Sequence, residues 1–183
     1  MDYYSNDSIT ARKSIQIIKM IKDIPKKLNA VKSPVLALSK KYDLLIGIDP
    51  GTNTGFAGLL NGKLEFVETI PIHTAILSIL ELQKPTNITG ATISFKVYIE
   101  DSRNVSRGFK GAAKAQGAGS IKRDCNIWED FLRDLGIDYQ FIRPGKRSNL
   151  KMTSEAFAKL TGWKGRTNSH GRDAAMLVFG RTN

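Results

Sequence analysis

The stretch Leu44-Leu45-Ile46-Gly47-Ile48-Asp49-Pro50-Gly51-Thr52-Asn53-Thr54-Gly55 decides the fold. Its apolar run has no polar alternation, which predicts a strand buried on both faces. A carboxylate closes the run, and Pro50 and Gly51 open a turn. Outward from it, Phe56–Leu60 and Leu64–Ile70 predict two more strands, and Asn61-Gly62 between them is a strong hairpin signal. A helix around Thr74–Leu82 follows, then strand Phe95–Glu100, again ending in an acid. A glycine-dotted basic loop, Arg103–Gly111, leads to a long helix from about Ala112 to Leu135, which Gly136 stops. A short strand at Asp138–Ile142 and helices near Thr153–Leu160 and His170–Phe179 complete the order.

Three hairpin-linked strands followed by βαβ units predict an α/β fold: a mixed five-stranded sheet, its first three strands antiparallel, with helices on both faces. This is the ribonuclease H-like order of elements. The expected domain covers residues 44–183, and residues 1–43 form a basic N-terminal extension. Within it Ile17, Ile18, Met20, Ile21, Ile24 and Leu28 recur at near-helical spacing among Lys19, Lys22, Lys26 and Lys27. That pattern predicts an amphipathic helix from about Ser8 to Ile24, threatened at Pro25, with Pro34 marking a linker. Docking as a surface helix is its simplest use.

Composition narrows the class. The 183 residues are 41% hydrophobic and 25% charged, as in an ordinary globular domain. No apolar run approaches the roughly 18 residues that a membrane span needs. The Met1-Asp2-Tyr3-Tyr4 start lacks the apolar core of a secretory leader, and the single Cys125 excludes an internal disulfide. A cytoplasmic protein is therefore expected. The net charge of +11, from 28 Lys and Arg against 17 Asp and Glu, suits a polyanionic partner.

The chemistry is expected where acids converge. Asp49 and Glu100 each end a strand, and Asp173 opens the last helix. Ends of neighbouring strands in an open α/β sheet are where ligands bind. Carboxylates meeting there repel unless a cation neutralises them, and such ligands favour Mg²⁺ or Mn²⁺ over zinc. Two Mg²⁺ ions about 3.5–4 Å apart could activate water and stabilise a leaving oxygen. Only one of Glu100 and Asp101 can share a face with Asp49, because successive strand side chains alternate. Spacing alone does not choose between them. His170 and Asp173, three apart on a helix, share a face, so His170 could act as ligand or as proton carrier. Taken singly each motif is weak: Asp before Pro is a common turn, and His-x-x-Asp near a helix start is more often ordinary surface.

Together these stretches resemble the motifs of RuvC-like Holliday junction resolvases. Ile48–Gly55 resembles the first motif, Val97-Tyr98-Ile99-Glu100 the second, and Ser169–Val178 the C-terminal metal-binding helix. Gly117-Ala118-Gly119-Ser120 and Leu160–Arg166 match in position, so the likeness spans about residues 44–180. It implies that Asp49, Glu100 and Asp173 bind divalent metal, and that His170 stands where relatives carry His or Asp. Two Mg²⁺ per site, with Mn²⁺ able to substitute, would serve an endodeoxyribonuclease. It also implies a homodimer that nicks opposed strands of a four-way junction, in recombination, replication or DNA packaging. The short Thr161–Ser169 connection resembles small phage-type members, which would act in the host cytoplasm. An aromatic residue that bacterial relatives carry just after the second-motif acid is replaced by Ser102, Arg103 and Asn104 here, which extends the expected substrates to flaps or forks.

Arg103, Arg107, Lys110 and Lys114 after the Glu100 strand, and Lys146, Arg147 and Lys151 after the fifth, are candidate DNA contacts. Phosphate contacts of this kind position a backbone without reading sequence. Trp128, with Ile127, Phe131 and Leu132, is expected in the core, while Trp163 could stack or pack. Two rival functions remain. One is an actin-like ATPase domain using the Asp49–Gly55 turn for phosphates, for which the chain has no room for the second domain. The other is a non-catalytic branched-DNA-binding module, which would leave its acids without a task.

Overall fold

A computed structural model describes residues 5–31, 41–85, 92–103, 112–144 and 152–181, with the side chains of 5–11, 29–31 and 112–118 left aside. Helix α1 (Ser5–Val31) precedes strands β1 (Leu44–Asp49), β2 (Asn53–Leu60) and β3 (Lys63–Pro71). Then come α2 (Ile72–Leu82), β4 (Phe95–Glu100), α3 (Ala112–Asp134), β5 (Tyr139–Ile142), α4 (Ser154–Thr161) and α5 (Ser169–Val178). The strands lie in the order β3-β2-β1-β4-β5. β1, β2 and β3 pair antiparallel in sequence, while β4 is parallel to β1 and β5 to β4. That is the mixed five-stranded sheet, its first three strands antiparallel, that the element order predicts.

β1 is central because its side chains are needed on both faces. Leu44, Ile46 and Ile48 enter one core with Phe56, Phe66, Val97, Ile99, Ile79, Trp128 and Leu132. Leu45 enters the other with Ala57, Tyr98, Phe157, Ala174, Ala175 and Val178. The first core is covered by α1, α2 and α3, and the second by α5 with α4. Trp128 and Leu132 are fully buried as expected, whereas Ile127 is exposed on the outer side of α3. Trp163 packs against the second core and does not stand free.

The N-terminal helix departs from expectation at its end. It runs through Pro25 and stops only at Val31. A proline inside a helix costs about 3 kcal/mol through a lost hydrogen bond and ring crowding. Burying Ile24 and Leu28 either side of it returns about 1.5–3 kcal/mol each, so continuing the helix is favourable. Ile17, Ile21, Ile24 and Leu28 belong to the main core, and Lys27 pairs with Glu65 of β3. Among the described residues no helix is long and apolar enough to cross a membrane.

Candidate functional site

Asp49 is the last residue of β1 and pairs with Gly55 across the antiparallel ladder. The parallel ladder joins Ile48 to Ile99, so its next step sets Asp49 beside Glu100. Both acids follow residues of the α5-facing side, Leu45 and Gly47 on β1 and Tyr98 on β4. Asp101 falls on the opposite face. There its carboxylate accepts from the Arg103 backbone N–H (3.2 Å) and from Arg103 Nε (2.9 Å). Arg103 also binds Glu129 of α3 and lies over the Phe141 ring, 4.1 Å from its centroid. The Arg103 hydrogen bonds hold the Asp101 carboxyl below its usual range. The alternation of β4 thus separates two neighbouring acids, Glu100 toward α5 and Asp101 into a structural clamp on α3.

Helix α5 crosses the sheet almost without a gap. A Cβ on Gly47 would lie 2.9 Å from the Ala174 carbonyl carbon, and one on Gly55 would overlap the carbonyl of His170. Gly171 in turn approaches the Glu68 carbonyl of β3. These missing side chains let the helix backbone rest on the strands and carry His170 to the end of β1. His170 Nδ1 is 2.7 Å from Asp49 Oδ2. The imidazole is 48% exposed and the Asp49 side chain 15%, so the pair stands at the rim with the acid tucked beneath. Asp173 lies three residues on, one turn along the same helix.

The start of α5 is fixed by residues that motif reading passed over. Asn168 caps it, accepting from Gly171 N–H at 3.0 Å, and its carbonyl oxygen also accepts from the Thr69 hydroxyl of β3. Arg172 donates to the carbonyls of Met152 (2.9 Å) and Thr167 (3.0 Å), tying the preceding loop to α5. Asn168 was findable as an N-cap signal; the reach of Thr69 and Arg172 was not, because their partners are distant in sequence or irregular in structure. On the β4 side, the Cys125 thiol of α3 lies 3.7 Å from the Glu100 carbonyl oxygen, and burial pushes that thiol up.

Of the expected site, His170 and Asp49 touch, Glu100 stands beside Asp49 in register, and Asp173 shares the helix of His170. Among the described residues no three His, Cys, Asp or Glu side chains are already drawn together as a metal-holding group. The donors are hard oxygens with one imidazole, a set that suits Mg²⁺ or Mn²⁺. Of the basic candidates, Arg103 is engaged by two carboxylates. Arg107, Lys110, Lys146, Arg147, Lys151 and the Lys114 side chain lie outside the described residues.

No protein-family model matches this sequence, and no curated protein matches it significantly. Among solved structures, T. thermophilus RuvC in complex with Holliday junction substrate is similar at 16% identity and a TM-score of 0.46, over 74% of this chain and 90% of that one. A Thermus thermophilus RuvC structure is similar at 17% identity and a TM-score of 0.43, over 74% and 91%.

Proposed function

We propose that this protein is a metal-dependent endonuclease that cuts branched DNA, the four-way junction first among its substrates. One observation supports this above the rest: α5 delivers His170 to within 2.7 Å of Asp49 at the sheet edge where Glu100 stands in the adjacent register. Asp49, Glu100 and Asp173 would hold the divalent cation, with His170 assisting. A bound Mg²⁺ pair would lower the pKa of water and neutralise developing charge on phosphate oxygens. His170, exposed and hydrogen-bonded to Asp49, is placed to receive or pass a proton at its rim-facing nitrogen. The net charge of +11 favours a phosphate backbone as partner.

We assign the chain to the small, phage-type resolvases that its motifs resemble, acting in the cytoplasm as a homodimer that nicks two opposed strands. Exposed Ile121 and Ile127 on α3, with Leu135 in the turn just after it, support an interface on that helix. Flaps and forks are further substrates of the same site.

The rival is a non-catalytic branched-DNA-binding module. It draws on the lack of a ready-made three-ligand group among the described residues. Cleavage of a labelled four-way junction and of linear duplex, in Mg²⁺ or EDTA, with wild type and Asp49→Asn, separates the two. Paired nicks lost in EDTA and in the variant support the resolvase. Tight junction binding without cleavage in Mg²⁺ or Mn²⁺ leaves only the module.

A further inference from the structure

The basic N-terminal helix is aimed. Pro71 at the end of β3 pairs with Asn53 at the start of β2, and Asp49 with Gly55, so all four residues lie at one edge of the sheet. Helix α2 begins at that edge, its Ile72 N–H bonded to the Thr52 carbonyl at 3.1 Å. α1 runs alongside α2 in the same direction: Ser14 Oγ meets Thr74 Oγ1 at 3.0 Å, and one stretch later Lys22 meets Glu81 at 3.6 Å. The first half of α1 therefore lies at the Asp49 edge, and Lys27, paired to Glu65 near the start of β3, lies toward the opposite one.

Ion pairing is uneven along the helix, with Lys19 of its second half exposed and outside the pairs. In its second half Lys22 pairs with Glu81, Lys26 with Asp23 and Lys27 with Glu65. In its first half Arg12 and Lys13 are exposed, and among the described residues no carboxylate lies at ion-pair distance from either. The printed ion pairs thus lie toward the end far from Asp49, whereas Arg12 and Lys13, at the same end of the sheet as Asp49 but on the face opposite α5, have none among the described residues. Lys13 acts on the Glu68 carboxyl of β3 through charge alone, opposing the upward push of burial.

We propose that Arg12 and Lys13 on α1 contact phosphates of the DNA arm that leaves the sheet edge beside Asp49, so that α1 extends the binding surface beyond the site. The proposal rests on the nuclease function above, and it concerns positioning, since phosphate contacts carry no sequence information. Two lost contacts predict a definite salt signature, because each neutralised phosphate adds about 0.9 to the slope of log K against log salt.

The test is binding of the full chain to a four-way junction and to linear duplex in EDTA, over a salt series. It compares wild type, Arg12→Gln with Lys13→Gln, and Lys63→Gln, an exposed residue beside the hairpin turn at the far edge. The double variant should lose roughly 2 from the slope and bind at least about tenfold more weakly near 0.1 M salt. Lys63→Gln should match wild type, and thermal melting should show all three folded. An unchanged slope in the double variant, or an equal loss in Lys63→Gln, overturns the proposal. Cleavage in Mg²⁺, followed in parallel, separates the two ideas. A wild type that cuts junctions with a slope indifferent to Arg12 and Lys13 removes α1 alone. One whose slope depends on them but that never cuts removes the nuclease and keeps the arm. Binding of the double variant that is lost to phosphatidylserine vesicles but retained for DNA would make α1 a membrane contact and sink the proposal.

Discussion

The α-carbon of Gly55 and the carbonyl of His170 are so close that no side chain fits between them. β2 and α5 meet there backbone to backbone, and the next side chain along is the imidazole that holds Asp49. Packing and chemistry share one contact. Gly55→Ala should therefore lift the first turn of α5, costing about 1–3 kcal/mol of stability through overpacking. Cleavage should fall more than the loss of folded protein explains. Urea melts beside junction cleavage check this, and a Gly55→Ala protein of wild-type activity would detach the contact from the site.

Ile21 measures how far α1 belongs to the domain. It is 2% exposed and sits in the main core with Ile17 and Ile24. In a Trp163→Phe background, where Trp128 is the one tryptophan, Ile21→Ala should cost about 2–5 kcal/mol, with one cooperative transition seen by both far-UV circular dichroism and Trp128 fluorescence. A loss confined to helical signal, with Trp128 unmoved, would mean that α1 melts alone.

Arg103 is a different kind of basic residue from Arg12. Asp101 and Glu129 already bind it, and it covers the Phe141 ring. Removing it leaves the buried Asp101 carboxylate without its main donor. Arg103→Ala should cost about 2–3 kcal/mol, the scale of hydrogen bonds to charged groups. Its DNA salt slope should stay within about 0.5 of wild type, because its charge is spent internally. A slope reduced by about 0.9 with stability intact would return Arg103 to the phosphate contacts.

Glu68 sets a pH dependence. Burial raises its carboxyl above the ordinary value of 4.5, with Lys13 opposing. The folded state then binds a proton more tightly than the unfolded chain does. Its contribution is most favourable below 4.5 and is lost as pH rises through the raised folded value. Glu68→Gln should therefore raise Tm at pH 7 relative to wild type, and the gap should narrow as pH falls toward 4.5. A gap that is constant or widens on acidification would contradict this sign.

The sheet was legible because its strands announce themselves locally. An unbroken apolar run from Leu44 to Ile48 can only be central, and Asn61-Gly62 can hardly be other than a hairpin turn. The carboxylates at the ends of β1 and β4 were visible for the same reason. The choice between Glu100 and Asp101 was not, since alternation says that they part but not which way each faces. Register with β1 and the Arg103 clamp supply that direction. The full length of α1 was hidden because Pro25 speaks against it locally, while Ile24 and Leu28 speak for it only through a core formed by other elements. Thr69 and Asn168, 99 positions apart, could not be joined by pattern at all.

The contact between His170 and Asp49 spans 121 positions of chain. A ribosome that has delivered all five strands has still not supplied the helix that completes the edge. Until α5 emerges and lies down across Gly47 and Gly55, Asp49 has no imidazole beside it. Closing so long a loop is also slow compared with forming the hairpins. On the proposed function, a chain truncated before residue 169 would lack both His170 and Asp173 and should not cleave DNA.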